Sequence, residues 1–170
     1  MSEKTQRLAI YPGSFDPITN GHEDIVRRGL RFADGIIVAV AHRATQAKNG
    51  LFTVAERVEM IREVFADEPR VAVAEFEGLL VEFAQRRGAP LIIRGLRAVS
   101  DFEYEFQMAL MNRQLWAEVE TVFLAPDVQY SFLSASLVRE IASLGGDVSD
   151  LVAPPVLARL HEKYAGARGG

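Results

Sequence analysis

Five short apolar segments alternate along the chain with longer segments in which apolar residues recur at helical spacing. The apolar segments predict strands at residues 8–10, 36–41, 71–74, 91–93 and 119–124. The second of them contains no polar residue, which is typical of a strand that is covered on both faces of a parallel sheet. The alternation therefore predicts an α/β protein in which helices connect parallel strands.

The segments between and after these strands predict six helices. The first begins near Gly21, and capping boxes at Thr53/Glu56 and Ser100/Glu103 predict the starts of the second and fourth. The fourth is expected to run to about residue 116, and the others to cover residues 79–87, 134–144 and 154–164. We expect one Rossmann-like domain over residues 1–170, with a doubly wound five-stranded parallel sheet, helices on both faces, and frayed tails at about residues 1–6 and 165–170.

Composition narrows the class of protein. The 170 residues are 49% apolar, as in a globular domain, and include no cysteine, which fits a reducing compartment and predicts a cytoplasmic protein. No apolar run approaches the roughly 18–20 residues of a membrane span, so no membrane association is expected. The net charge of −4 argues against a broad nucleic-acid surface. An anionic ligand would have to be bound by a local group of cations and helix N-termini.

Four polar clusters each follow the carboxyl end of a predicted strand. They lie at residues 14–22, 43–48, 94–97 and 129–136. In open parallel sheets ligands bind beyond the carboxyl ends of the strands, where the strand order reverses. We therefore expect the four clusters to converge on one cleft.

The first cluster has the chemistry of a phosphate site. Gly13 allows close backbone approach, while Gly21 and His22 lie where the first helix presents unpaired N–H groups and a positive partial charge. Ser14 adds a hydroxyl and His22 an imidazole. A lone His near a Gly would more often indicate a tight turn with a surface histidine, so the order of the whole segment has to decide.

The order of residues from Gly13 to His22 resembles the T/HxGH signature of the nucleotidyltransferase superfamily. Thr19 occupies the first position of that signature, and a threonine there resembles the pattern of the phosphopantetheine adenylyltransferase family. Residues 93–105 resemble that family's IRGLRxxxDFExE segment, and residues 130–136 its hydroxyl-rich helix start. The resemblance implies transfer of an adenylyl group from ATP to 4′-phosphopantetheine, which yields dephospho-coenzyme A and pyrophosphate. It also implies Mg²⁺ held mainly by ATP phosphates and water, a homohexamer, and coenzyme A as a feedback inhibitor.

The resemblance also assigns roles to individual residues. His22 would stabilise the transition state, Lys48 and Arg94 would hold the acceptor phosphate with Ser14, and Leu80 would contact the pantetheine arm. The residues implied in ATP binding are Ser14, Phe15, His22, Gly95, Leu96, Arg97, Glu105, Tyr130, Ser131, Phe132, Leu133, Ser134, Ala135 and Ser136. Arg139 could add charge for the leaving pyrophosphate. Ala135 departs from the family's commoner S-S-[ST] pattern, which removes one hydroxyl contact and predicts a modest loss of ATP affinity.

Several of these residues could instead have a purely structural role, and the sequence leaves both possibilities open. Lys48 could be a solvated loop lysine, Glu105 an exposed acid near a helix start, and Ser134 or Ser136 an ordinary N-cap. Leu80 could belong to the core, with Leu79 beside it. We assign no ligand role to Arg27, Arg28, Arg31, His42 or His161, and we expect Met108, Met111 and Trp116 to lie in the core or at a subunit interface.

The expected reaction explains this choice of residues. A phosphate acceptor is already an anion, so the site needs cations and N–H donors and no general base to deprotonate the acceptor. One alternative is a related nucleotidyltransferase that acts on nicotinamide or nicotinate mononucleotide, or on a sugar or alcohol phosphate. The other is a non-catalytic nucleotide-binding regulator. Thr19 and the segment from Ile93 to Arg97 count against the first. The second is disfavoured by the intact set of polar site residues, which comprises Ser14, His22, Lys48, Arg94 and Arg97.

Overall fold

The sheet of the computed structural model has five parallel strands in the order β3-β2-β1-β4-β5. The structure describes residues 6–42, 50–97 and 99–167. The strands are β1 (Leu8–Gly13), β2 (Gly35–Ala41), β3 (Val71–Phe76), β4 (Leu91–Gly95) and β5 (Glu120–Leu124). The strand order reverses between β1 and β4, which is the topological switch point predicted to carry the site.

Six helices in the described chain connect or follow these strands. They are α1 (Asn20–Gly29), α2 (Val54–Val64), α3 (Leu80–Arg86), α4 (Val99–Leu115), α5 (Ala135–Ser143) and α6 (Pro154–Ala167), with a 3-10 turn at Val128–Tyr130. The main core joins one face of the sheet to α1, α2, α5 and α6, and it contains Val26, Ile61 and Leu160, all essentially inaccessible. Phe83 of α3, with Ile10 and Ile37 of the sheet, belongs to a second core on the opposite face. The predicted doubly wound α/β fold is confirmed.

Two strands are longer than predicted at the ends that form the site. β1 continues through Pro12 and Gly13, which pair with Ala39 and Val40 of β2. Proline is tolerated there because the ladder between β1 and β4 stops at Ile10, so the missing N–H faces no β4 partner. β4 similarly continues through Arg94 and Gly95, paired with β5. Neighbouring strands therefore extend both elements beyond their apolar segments.

The ends of three helices show where the local sequence pattern predicts a boundary correctly and where it does not. Thr53 and Glu56 form the predicted capping box of α2, with Thr53 N–H donating to Glu56 at 2.7 Å and Glu56 N–H donating to Thr53 at 3.2 Å. The predicted cap at Ser100 is wrong, because α4 already begins at Val99. α6 continues to Ala167, beyond its predicted end at about residue 164, and the expected fraying of the tails stays a prediction. The described helices include none that is long and apolar enough to cross a membrane.

Candidate active site

A cleft of about 560 Å³ lies beyond the carboxyl ends of β1 and β4. Its lining combines the segment after β1, the start of α1, the end of β4 and the start of α5. The sequence-predicted residues that line it are Ser14, Phe15, His22, Arg94, Gly95, Arg97, Glu105, Tyr130, Leu133, Ser134, Ala135 and Ser136, and Arg139 joins them. Three of the four polar clusters thus meet in one cleft, as predicted.

The remaining predicted residues either do not line this cleft or fall outside the described residues. Leu96, Ser131 and Phe132 do not line this cleft, and Phe132 is an exposed side chain. Leu80 lines an adjoining pocket of about 220 Å³, which shares Pro12, Gly13, Arg94 and Glu105 with the cleft. The remaining cluster, residues 43–48 with Lys48, lies outside the described residues, so its part in the cleft stays a prediction.

The segment that joins β1 to α1 is shaped by Phe15. Its backbone adopts a φ of 47°, in the left-handed region, and its ring is only 2% exposed. A Cβ at Gly13 would lie 2.9 Å from that ring, so glycine at this position makes room for Phe15 as well as for a ligand. Phe15 also packs edge-on against His22, with ring centroids 5.2 Å apart. The buried ring therefore fixes the loop and the imidazole together.

His22 is held by the start of its own helix. Thr19 is the N-cap of α1: the backbone N–H of His22 donates to Thr19 Oγ1 at 3.4 Å, and the backbone N–H of Thr19 donates to His22 Nδ1 at 3.0 Å. A backbone N–H can only donate, so Nδ1 is the acceptor, and the neutral imidazole carries its proton on Nε2. His22 thus replaces the usual glutamate of a capping box and presents an N–H donor.

The charge state of His22 follows from its surroundings. Burial first, and then the positive charges of Arg97 and Arg94, lower the pKa of His22 to about 4. The imidazole is therefore neutral in the free protein at physiological pH. A neutral Nε2–H donor beside two guanidinium groups is suited to an anionic ligand.

Arg94 lies where the cleft meets the adjoining pocket, and both are lined by it. Its Nε donates to Glu105 at 2.7 Å and its Nη1 to the Pro12 carbonyl at 2.9 Å. Burial lowers the pKa of Arg94, but the hydrogen bonds and charge of Glu105 outweigh this and raise the pKa above its ordinary value. Glu105 is therefore no exposed helix-start acid, because its side chain is only 13% exposed and it orients Arg94.

The hydroxyl-rich segment opens α5 at the far side of the cleft. Ser134 is the N-cap, and its Oγ accepts the Leu137 N–H at 3.1 Å. Arg97 reaches across from the end of β4 and donates to the Leu133 carbonyl at 2.8 Å. Arg139, one turn into α5, donates to the Asp16 carbonyl and to Ser136 Oγ. Cationic side chains and a helix N-terminus thus face the same space.

Asp16 and Arg57 are site-supporting residues that the sequence did not reveal. Asp16 is only 6% exposed, and its carboxylate accepts hydrogen bonds from the backbone N–H groups of Leu51 and Phe52, each at 2.9 Å. Arg57 lies 3.4 Å from that carboxylate and donates to the Phe52 and Ser14 carbonyls. These contacts couple α2 to the loop that carries Ser14. Because they join distant segments, no local spacing could have indicated them.

A larger groove of about 770 Å³ lies along α1 and the end of α2. Of the predicted site residues that the structure describes, only Tyr130 lines this groove, and the charged groups of the groove form ion pairs such as Arg27 with Glu23 and Asp67. Arg27 is thus already paired with two carboxylates. The described residues include no group of three or more His, Asp or Glu side chains that could hold a metal ion. The smaller cleft at the switch point is therefore the candidate active site.

Comparison with known proteins agrees with this location. The sequence profile of the cytidylyltransferase-like family matches residues 10–141, which include both walls of the cleft. A protein named phosphopantetheine adenylyltransferase from Alkalilimnicola ehrlichii is 57% identical over 160 residues, covering 94% of this chain and 91% of the relative. The protein of the same name from Heliobacterium modesticaldum is 58% identical over 157 residues, covering 92% of each chain.

This chain belongs to the phosphopantetheine adenylyltransferase family. The resemblance noted in three segments therefore extends over nearly the whole chain. A solved structure titled as a lipopolysaccharide core biosynthesis protein from Thermoplasma volcanium has a TM-score of 0.56 and 20% identity, covering 72% of this chain and 98% of that one. At that identity the likeness concerns the fold alone.

Proposed function

We propose that this protein transfers the adenylyl group of ATP to 4′-phosphopantetheine, releasing pyrophosphate and forming dephospho-coenzyme A. The observation that carries the proposal is the continuity between a cationic cleft and an apolar pocket, with Arg94 lining both. A phosphorylated acceptor with a long uncharged arm has this division of chemistry. Membership of the phosphopantetheine adenylyltransferase family supports the same substrates.

The adjoining pocket fits the pantetheine arm. Its apolar lining includes Phe76, Leu79, Leu80 and Met108, and Asn112, buried to 7% exposure, supplies an amide. Pantetheine consists of amide groups between short aliphatic segments, so it needs this mixture of apolar contact and a few polar groups. With the arm in this pocket, its phosphate would lie at Arg94.

The reaction needs two anions brought together. An oxygen of the acceptor phosphate attacks the α-phosphorus of ATP, and the bond from that phosphorus to the bridging oxygen breaks as pyrophosphate leaves. Negative charge accumulates on the α-phosphate oxygens, and a donor placed for them stabilises the transition state. The Nε2–H of His22, fixed by the Thr19 contact, is our candidate for that donor.

The other cleft residues would divide between the two substrates. Arg94, Ser14 and Lys48 would hold the acceptor phosphate, with Glu105 positioning Arg94. The α5 N-terminus and Arg97 would face the triphosphate, and Arg139 would offset charge on the departing pyrophosphate. Ala135 retains its backbone N–H at this helix start, so we expect only modest weakening of ATP binding compared with a serine there.

Mg²⁺ would arrive with the nucleotide, bound by its phosphates and by water. The described side chains of the cleft are mainly cations and hydroxyls and would not themselves hold the ion. We therefore assign it to the MgATP substrate and derive no step through it. Coenzyme A contains the phosphopantetheine unit and would compete for the same pocket as a feedback inhibitor. A cytoplasmic location stays a prediction.

A homohexamer is the assembly that we propose. The outer side of α4 exposes large apolar side chains, including Phe106 at 46%, Leu110 at 54% and Met111 at 55%. A core position for Met108 and Met111 is wrong, because both are exposed, whereas Trp116 packs against the core. Exposed apolar surface on this scale marks a contact face.

The mass of the protein in solution tests the proposed hexamer. Light scattering coupled to size-exclusion chromatography should give six times the 18.8 kDa chain mass.

Pyrophosphate release from MgATP tests the reaction. The acceptors are 4′-phosphopantetheine, dephosphorylated pantetheine and nicotinamide mononucleotide. Release with 4′-phosphopantetheine alone would support both the reaction and the role of the acceptor phosphate. Release with the mononucleotide alone would replace the proposal with a sister activity, and ATP binding without release in any mixture would favour a regulator.

A further inference from the structure

Tyr11 lines the candidate active site, and the proposed reaction gives it no role. It lies near the carboxyl end of β1, on the face that packs against α1, and is 5% exposed. Its ring centroid lies 5.5 Å from that of Phe15 and 6.4 Å from that of His22. Its hydroxyl oxygen is 3.9 Å from the place where a Cβ on Gly95 would stand. The hydroxyl is therefore close to the end of β4.

This hydroxyl has no hydrogen-bond partner among the described residues. Buried hydroxyls are normally paired, because an unpaired one loses its hydrogen bonds to water on folding without replacement. Tyr164 shows the ordinary case, since its hydroxyl donates to the Arg139 carbonyl at 3.2 Å. An unpaired donor that lines a cleft indicates a partner supplied by a ligand.

The charges around Tyr11 indicate which kind of ligand. The hydroxyl interacts electrostatically with the positive charges of Arg94 and Arg97 and with the negative charges of Asp24 and Glu105. Burial raises the pKa of Tyr11 well above its ordinary value, so the hydroxyl keeps its proton and remains a donor at physiological pH. A donor near two guanidinium groups and the imidazole of His22 is placed for an anionic oxygen.

We infer that Tyr11 is a further substrate-binding residue, whose hydroxyl donates a hydrogen bond to a phosphate oxygen of the nucleotide between His22 and Gly95. The inference rests on the proposed function for the identity of that nucleotide. The observation behind it, a buried and unpaired hydroxyl lining the cleft, does not depend on which acceptor the protein uses.

Tyr11→Phe removes only the hydroxyl and leaves the ring packing intact. Because the free protein loses no hydrogen bond, its melting temperature should equal or exceed that of the unsubstituted protein. Tyr164→Phe is the matched control, because it removes a paired hydroxyl and should lower the melting temperature by a few degrees, roughly 2–4 °C. In Tyr11→Phe, kcat/KM for ATP should fall roughly 10- to 100-fold, as expected for a hydrogen bond to a charged group. The stabilisation by MgATP alone should also decrease.

The combined results distinguish this inference from the proposed function. Normal kcat/KM and normal MgATP stabilisation in Tyr11→Phe would overturn the inference and leave the function standing. A lower melting temperature of the ligand-free variant would also overturn it, because the hydroxyl would then have a structural partner. If the unsubstituted protein binds MgATP but releases no pyrophosphate with 4′-phosphopantetheine, the proposed function fails, and lost MgATP stabilisation in Tyr11→Phe would still support the inference. If MgATP does not stabilise the unsubstituted protein, both fail.

Discussion

Acidification should destabilise the ligand-free protein through His22. The pKa of this residue is about 4 in the folded protein, against 6.5 for an imidazole in water. Between these two pH values the unfolded chain binds a proton that the folded chain does not. The free energy of unfolding should therefore be constant above about pH 6.5, fall as the pH decreases toward 4, and level off below that.

The size of this loss follows from the two pKa values. Their difference corresponds to about 3 kcal/mol for complete titration, and most of it should be lost by pH 4.5. Because one side of the ring faces the cleft, solvent screening reduces the penalty, and we expect about 2–3 kcal/mol. For a domain stabilised by roughly 5–15 kcal/mol this is a large fraction.

The assay compares urea unfolding of the unsubstituted protein and of His22→Asn at pH 7 and pH 4.5, in buffers without phosphate. An asparagine oxygen can still accept the Thr19 N–H but cannot titrate, and all other ionisable groups are shared by the two proteins. The unsubstituted protein should lose about 2–3 kcal/mol more than the variant between the two pH values. Equal losses in the two proteins would show that His22 is not held neutral, and the electrostatic description of the site would be wrong. Added pyrophosphate should reduce the difference, because a nearby anion favours the protonated imidazole.

Three further predictions concern individual parts of the site. His22→Asn should keep the fold and MgATP binding but lower kcat by on the order of 10²–10³, measured as pyrophosphate release; unchanged kcat would remove His22 from the transition state. Arg94→Ala should raise KM for 4′-phosphopantetheine by at least roughly 10-fold with little change in KM for ATP, whereas the surface substitution Arg27→Ala should change neither; a normal acceptor KM in Arg94→Ala would contradict its role. Asp16→Ala should lower the free energy of unfolding by about 3–5 kcal/mol, because it leaves Arg57 buried without its ion-pair partner; denaturation should show a loss of less than about 1 kcal/mol if the pair is unimportant.

The sequence predicted those features that depend on local spacing. The capping box at Thr53 and Glu56 joins residues three apart, so its residue types suffice to indicate it. The clusters at the strand ends were predictable for a related reason, since strands of a parallel sheet end on one side. By contrast, the extension of β1 to Gly13 and of β4 to Gly95 depends on pairing with neighbouring strands. The apolar pattern within one segment does not indicate such pairing.

The role of His22 in the helix cap shows a signal that was present and was missed. Thr19 and His22 are three residues apart, the same spacing as Thr53 and Glu56, but histidine is not the usual third-position residue. The spacing could have indicated a cap as well as a ligand site. The buried pair of Asp16 and Arg57 offers no such signal, because the two residues are distant in sequence and only the folded chain joins them.

Burial first, and then the charges of Arg97 and Arg94, lower the pKa of His22, and the same arginines explain how the imidazole can be used. In the free protein burial and the charges of Arg97 and Arg94 disfavour a charged imidazole, so it stays neutral and keeps Nδ1 as the acceptor of the Thr19 N–H. When phosphate groups bind beside those arginines, their negative charge offsets the repulsion, and protonating His22 becomes less costly. The positive charge available to the site can therefore increase as negative charge accumulates on the substrates. A chain with a net charge of −4 can in this way attract and join two anions without carrying a permanently charged histidine between them.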